Sequence, residues 1–166
     1  MRELTATPEM SLEEAYQLQE QWAKDANKVV YIILDKSLVG GVLEEKGKGS
    51  SLGMVGDVDF FISEEEDEET KKTKIIAEIN VMIADPQNRS KGFAREALFL
   101  SLDHIIKHKA VDTFVAKIAD TNLPSIQFFT KTLGFQEISR SAAFGEITYT
   151  LPVTTSLQEK LASLLL

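Results

Sequence analysis

Residues 75–94 read Ile-Ile-Ala-Glu-Ile-Asn-Val-Met-Ile-Ala-Asp-Pro-Gln-Asn-Arg-Ser-Lys-Gly-Phe-Ala. Ile75 to Ala84 is an apolar segment of strand character, with Glu78, Asn80 and Met82 sharing one face by alternation. Asp85 to Gly92 is turn chemistry throughout. Helical spacing starts at Phe93, where Ala94, Ala97, Leu98, Leu102, Ile105 and Ile106 mark one face to about His108. Strand, polar glycine-bearing turn and helix thus stand in immediate succession. Such a turn aims unpaired amides and the positive end of a helix dipole at one point, which makes an anion site. Gly92 lets backbone approach a phosphate closely, Ala94 is too small to block it, and Arg89 and Lys91 add charge, so a pyrophosphate is a natural guest. No Gly-Lys-Ser/Thr follows, so this is not a P-loop, and no G-x-G-x-x-G exists.

Toward the N-terminus, Ser11-Leu-Glu-Glu14 has the form of a capping box, and the spacing predicts a helix to about Asn27. Val29 to Leu34 reads as a buried strand; Leu38 to Val42 could extend it as a hairpin, but Gly40-Gly41 and the EKGKGSS that follows read as a mobile turn. Met54 to Ile62 is a further strand with a bulge expected at Gly56. The acidic run from Glu64 to Glu69 reads as a solvated hairpin loop or, alternatively, a docking site for a basic partner.

Toward the C-terminus, Thr113 to Ala119 is a strand and Pro124 starts a short helix. Gly134 suits a left-handed cap at that helix's end. Ile138 to Ser141 and Phe144 to Leu151 form a closing strand pair. Residues 1–155 read as one domain and 156–166 as a tail. A stripe of Leu157, Leu161, Leu164 and Leu165 makes the tail a short helix for docking on the core or for dimerisation, so the chain is a monomer or a homodimer.

The 166 residues are 43% hydrophobic, enough for a buried core. Eighteen basic against 26 acidic residues give a net charge of −8, which argues against nucleic acid or an anionic membrane as partner. There is no Cys, so thiolate nucleophiles and Cys-based metal sites are excluded. His104 and His108 read as solvent-facing residues of a helix, and no metal is expected. Without a long apolar run or an apolar leader, the expected location is the cytoplasm or the nucleus.

Arg89-Ser-Lys-Gly92-Phe-Ala94 fits Q/R-x-x-G-x-G/A, and Asn122-Leu-Pro-Ser-Ile-Gln-Phe-Phe129 followed by Leu133-Gly134-Phe135 fits N-x-x-(A/S)-I-x-x-(Y/F) closing in L-G-F. Two such blocks in this order resemble the GNAT superfamily of acetyltransferases. The finer resemblance, in LTATPEMSLEEAYQLQEQW, MVGDVDFF and EINVMIADPQNRSKG, is to its N-acetyltransferase 9-like branch.

The resemblance implies an α/β (α+β) GNAT fold: a mixed, mostly antiparallel sheet, splayed between the family's fourth and fifth strands, with helices on both faces. Those strands correspond to Ile75–Ala84 and Thr113–Ala119, and the family's first strand and first helix have no counterpart here. It implies acetyl-CoA as co-substrate, pantetheine on the amides near Met82, Ile83 and Ala84, and pyrophosphate on Arg89, Ser90, Lys91, Gly92, Phe93 and Ala94. Asn122, Ser125 and Phe129 would line the cofactor's other side.

Glu78, 11 positions before Arg89, stands where several GNAT enzymes carry the acceptor's proton acceptor; the other reading is an ordinary outward strand residue. Phe129 holds the place of a Tyr that protonates the leaving thiolate in many relatives, which leaves Tyr149 or water for that step. One extra residue between Phe129 and Leu133-Gly134-Phe135 predicts a local distortion of the helix end. The implied function is direct acetyl transfer to a peptide or protein amine, with no Cys to carry the acyl group. The alternative is a non-catalytic acyl-CoA-binding or protein-interaction module on the same fold.

Overall fold

The computed structural model describes residues 11–38, 53–66 and 71–164. The capping box forms: the Glu14 amide donates to Ser11 Oγ at 3.2 Å, and the Ser11 amide donates to Glu14 Oε2 at 2.6 Å. Helix α1 (Leu12–Lys24) stops before the expected Asn27 because Asp25 turns extended, with ψ 112°, and its carboxylate accepts the Asn27 amide. It is followed by β1 (Lys28–Leu34), β2 (Met54–Glu66) and β3 (Thr73–Ile83). A 3₁₀ turn (Pro86–Asn88) leads to α2 (Phe93–Lys109), then β4 (Thr113–Ala119) and the short α3 (Leu123–Gln127). The chain closes with β5 (Gln136–Ser141), β6 (Glu146–Pro152) and α4 (Thr155–Leu164).

Three boundaries correct the sequence reading. Glu64, Glu65 and Glu66 continue β2 instead of forming a loop, because they pair with Ile75, Lys74 and Thr73, and Lys74 opposite Glu65 offsets its charge. Phe144 lies outside β6 and is 80% exposed, because Gly145, at φ 60°, makes the turn of that hairpin. Leu38 closes a turn by donating its amide to Asp35 at 3.0 Å. The rest of the proposed hairpin extension, 39–42, and of the acidic run, 67–69, lies outside the described residues.

The six strands form one sheet in the order β1-β2-β3-β4-β6-β5. Every neighbouring pair is antiparallel except β3 and β4, which α2 connects in parallel. The bulge expected near Gly56 is present: Ile33 faces Gly56 and Leu34 faces Met54, so Val55 is the extra residue. Gly56 is obligatory for another reason, since a Cβ there would lie 2.0 Å from the Met82 carbonyl oxygen.

One face of the sheet carries Val58, Phe60, Ala77, Ile79, Phe114, Ala116, Ile118, Ile147 and Tyr149, all buried. Against it lie Leu98, Leu102 and Ile105 of α2 and Leu157 and Leu161 of α4. The tail helix therefore docks on the core; Leu164 is half exposed and Leu165 lies outside the described residues. On the opposite face α1 sits at the β1 edge, where the Trp22 ring covers the Lys28 ammonium at 4.9 Å. Val30, Ile32 and Phe61, which alternation puts on that second face, are 38%, 51% and 46% exposed.

Between α3 and β5, Phe128–Leu133 is a π-helical turn. The Gly134 amide reaches back five residues to the Phe129 carbonyl at 3.0 Å, so the extra residue is absorbed as one wide turn. Gly134, at φ 92°, ends it in the left-handed conformation expected from sequence. We expect Leu161→Ala to lower stability by about 2–5 kcal/mol through loss of buried contacts. Leu164→Ala should stay within about 0.5 kcal/mol, and urea unfolding of both variants checks the assignment of the docked face.

Candidate active site

β3 and β4 pair at only three positions: Ile76 with Thr113, Ala77 with Phe114, and Glu78 with Val115. Beyond Glu78 they part, although β3 stays paired with β2 to Ile83 and β4 stays paired with β6 to Ala119. A gap therefore opens in the middle of the sheet. The backbone groups along it follow from the antiparallel alternation. The Ala84 amide donates to the Val55 carbonyl at 2.9 Å, so residues 84, 82 and 80 turn their backbone groups toward β2. The N–H and C=O of Val81 and Ile83 then face the gap. Of the amides at Met82, Ile83 and Ala84, the structure turns that of Ile83 toward the gap, and Val81 is a gap-facing position that sequence alone did not mark.

The turn after β3 stands at the open end of this gap. The Asp85 carboxylate accepts the Gln87 amide at 2.8 Å and fixes the start of the 3₁₀ turn. Ser90, at φ 59°, and Gly92, at φ 94°, both adopt the left-handed conformation, which curls the chain into the N-terminus of α2. No side chain caps that helix, so its first amides are unspent. A Cβ on Gly92 would meet nothing within 4 Å. Glycine serves the backbone angle there, and the space beside it is open. Arg89 crosses back to the gap, its Nε donating to the Ile83 carbonyl at 3.3 Å, while Lys91 Nζ donates to Asn88 Oδ1 at 3.0 Å. Phe93 and Ala94 are half-buried at the first turn of α2.

On the β4 side, Asn122 caps α3, its side-chain oxygen accepting the Ser125 amide at 3.3 Å, and its own amide donates to the Ala119 carbonyl at 2.9 Å. Phe129 is 3% exposed and stacks edge-on with Phe135 at 5.1 Å, so it is a core side chain.

Glu78 stands at the root of the gap, and its Oε2 accepts from Lys117 Nζ at 2.7 Å. That hydrogen bond is the main reason the Lys117 ammonium is held above the ordinary lysine range, with burial acting against it and the Glu78 charge adding to it. Lys117 was invisible as a site residue in sequence because its partner lies 39 positions away and only the β3–β4 register joins them. Tyr149 is not brought to Glu78. It pairs with Ala116 and is 2% exposed on the helix-covered face, while Glu78, paired with Val115, projects from the other. Burial pushes the Tyr149 phenol above its usual value.

Beside Glu78 on the same face are Asn80, Asp59 and Asp57. Asp59 is paired with the Lys28 ammonium and accepts Asn80 Nδ2 at 3.1 Å. Asp57 is pushed above the usual carboxylate range by burial first and by the neighbouring Asp59 charge second, with Lys28 pulling the other way. Two Asp residues alternating in the apolar strand Met54–Ile62 were the sequence signal for this polar patch. Among the described residues no cluster of three metal-ligating side chains occurs. None of the described helices is long and apolar enough to cross a membrane.

The model of the acetyltransferase (GNAT) domain family matches residues 1–136. The chain belongs to the GNAT acetyltransferase family. Its place in the N-acetyltransferase 9-like branch follows from the curated relatives. An N-acetyltransferase 9-like protein of Caenorhabditis briggsae is 38% identical over 92% of this chain and 71% of its own length. The human alpha/beta-tubulin-N-acetyltransferase 9 is 35% identical over 94% of this chain and 70% of its own. Among solved structures, the spermidine N-acetyltransferase of Vibrio cholerae, determined with CoA and spermine, superposes with a TM-score of 0.62 at 16% identity, over 92% of this chain and 80% of that one. By class the protein is an acetyl-CoA-dependent N-acetyltransferase, and the parted sheet is the GNAT architecture.

A folded-state carboxyl pKa above the unfolded value favours the fold only while the group is protonated, and that contribution is lost as pH rises through the folded value. Asp57→Asn should therefore make the protein more stable than the parent at neutral pH. The difference should vanish below the ordinary carboxylate range, which urea unfolding at the two pH values will show.

Proposed function

We propose that the protein moves an acetyl group from acetyl-CoA, held in the gap between β3 and β4, directly to an amine of a peptide or protein acceptor. The observation that carries this reading is the parting of β3 and β4 after Glu78, beside a turn whose amides are unspent. In this reading Arg89, Ser90, Lys91, Gly92, Phe93 and Ala94 receive the pyrophosphate, and the free edge at Val81 and Ile83 hydrogen-bonds the pantetheine arm as an added strand would. Asn122 and Ser125 border the arm from the β4 side, and Phe129 supports that wall from within the core.

Glu78 takes the proton from the acceptor's ammonium, whose lone pair then attacks the thioester carbonyl. The C–N bond forms, the C–S bond breaks, and the thiolate takes its proton from the amine nitrogen through water, since Phe129 has none to give and Tyr149 lies on the other face. A protein acceptor is favoured by the second face beside the gap, where the partly exposed Glu78 carboxylate is open to a cationic amine. The human relative's name points the same way, to tubulin as its own acceptor.

Acetyl-CoA at 100 times its dissociation constant should stabilise the fold by about 2.7 kcal/mol, a rise in melting temperature of roughly 5 to 10 °C. Gly92→Ala and Gly92→Glu carry the same backbone strain at φ 94°, and only the second puts a long anionic side chain into the open space. The rise should survive in the first and disappear in the second; loss in neither would overturn the assigned phosphate turn. Glu78→Gln should keep the rise and lower turnover on a basic peptide by about 100-fold or more, as read by thiol release.

A further inference from the structure

Lys117 lies on β4 two residues beyond Val115, the partner of Glu78 at the last paired position. Alternation puts it on the same face as Glu78, and its side chain is 48% exposed. We propose that Lys117 is a self-acetylation site, its ε-amine being the first acceptor offered to an acyl group delivered along the free edge of β3. This rests on the reading of the gap as the acetyl-CoA site.

The direction of the donor follows from the fold. The phosphate turn succeeds Ile83, so an arm anchored there runs back along β3 toward Glu78, over about 17 Å of strand edge at 3.3 Å per residue. Its thioester end therefore arrives at the root of the gap, where Glu78 and Lys117 meet. Any amine that gives its proton to Glu78 must come within hydrogen-bond distance of that carboxylate, and Lys117 Nζ is already 2.7 Å from Oε2. Neighbouring cations are placed differently. Lys28 lies on β1, two strands from β3, Lys91 is bonded to Asn88 in the turn, and Arg89 is bonded to the Ile83 carbonyl at the far end of the gap.

In the step, Glu78 accepts one proton from the Lys117 ammonium and later releases it to water. The neutral Nζ attacks the thioester carbon, the N–C bond forms and the C–S bond breaks. The departing thiolate takes the second proton from nitrogen, leaving an N-acetyl-lysine and free CoA. Because the hydrogen bond to Glu78 favours the Lys117 ammonium, the rate should still be climbing with pH beyond the ordinary lysine range.

The test is incubation of the full chain with acetyl-CoA, followed by intact mass and peptide mapping, with the melting temperature measured alongside. Lys117 should be acetylated at least about tenfold faster than the exposed Lys107 and Lys131, at a rate independent of protein concentration. Glu78→Gln should slow Lys117 by about 100-fold without affecting the other lysines. Lys117→Arg, which keeps a cation beside Glu78, should fold normally and lose the fast modification. A melting temperature raised by acetyl-CoA with Lys117 no faster than Lys107 would overturn self-acetylation and leave the gap as the cofactor site. An unchanged melting temperature would overturn both.

Discussion

The structure turns on the failure of two neighbouring strands to stay together. β3 and β4 share three residue pairs and then separate, each held along its outer side by an antiparallel partner. Backbone N–H and C=O groups in the middle of a sheet are normally spent on a neighbour, and leaving them without one is costly unless water or a ligand takes its place. Arg89 satisfies one of them, the Ile83 carbonyl. The rest of the edge is a hydrogen-bonding surface of fixed spacing, set in a rigid frame and ending at an uncapped helix. An extended molecule with an amide-bearing arm and a phosphate end meets both needs at once.

The two faces of the sheet differ sharply in composition. The face under α2 and α4 holds the large apolar side chains, with Phe60, Phe114, Leu98 and Leu102 fully enclosed. The other carries two sets joined by hydrogen bonds or charge, Lys28 with Asp59, Asn80 and Asp57, and Glu78 with Lys117. Burial there acts on single groups: it raises Asp57, and Lys28 compensates in part. These charged groups of the sheet thus lie on the face that α2 and α4 leave uncovered.

Where the sequence was legible, the signal was local. The turn from Asp85 to Gly92, the Ser11 capping box and the Gly134 cap each depend on residues within a few positions, and each formed as read. The extra residue after Phe129 was also visible by spacing, and backbone hydrogen bonding resolved it as a π turn. What escaped depends on register between distant segments. Nothing local marks Lys117 as the partner of Glu78 or puts Tyr149 and Glu78 on opposite faces, because one strand's facing relative to another is not written in either. Likewise, Glu64 to Glu66 read as loop by charge, and their pairing with β3 overrides that reading.

Mechanically, the sheet is a pair of three-stranded leaves, β1-β2-β3 and β4-β6-β5, stitched at one end of a common seam. Helix α2 is both the chain link between the leaves and part of the apolar backing beneath them. Angular play between the leaves is resisted by a short parallel stitch and by side-chain packing, not by a continuous ladder. An occupant bonded to both sides of the seam would act as a splint, turning two panels that share a hinge into one stiff board.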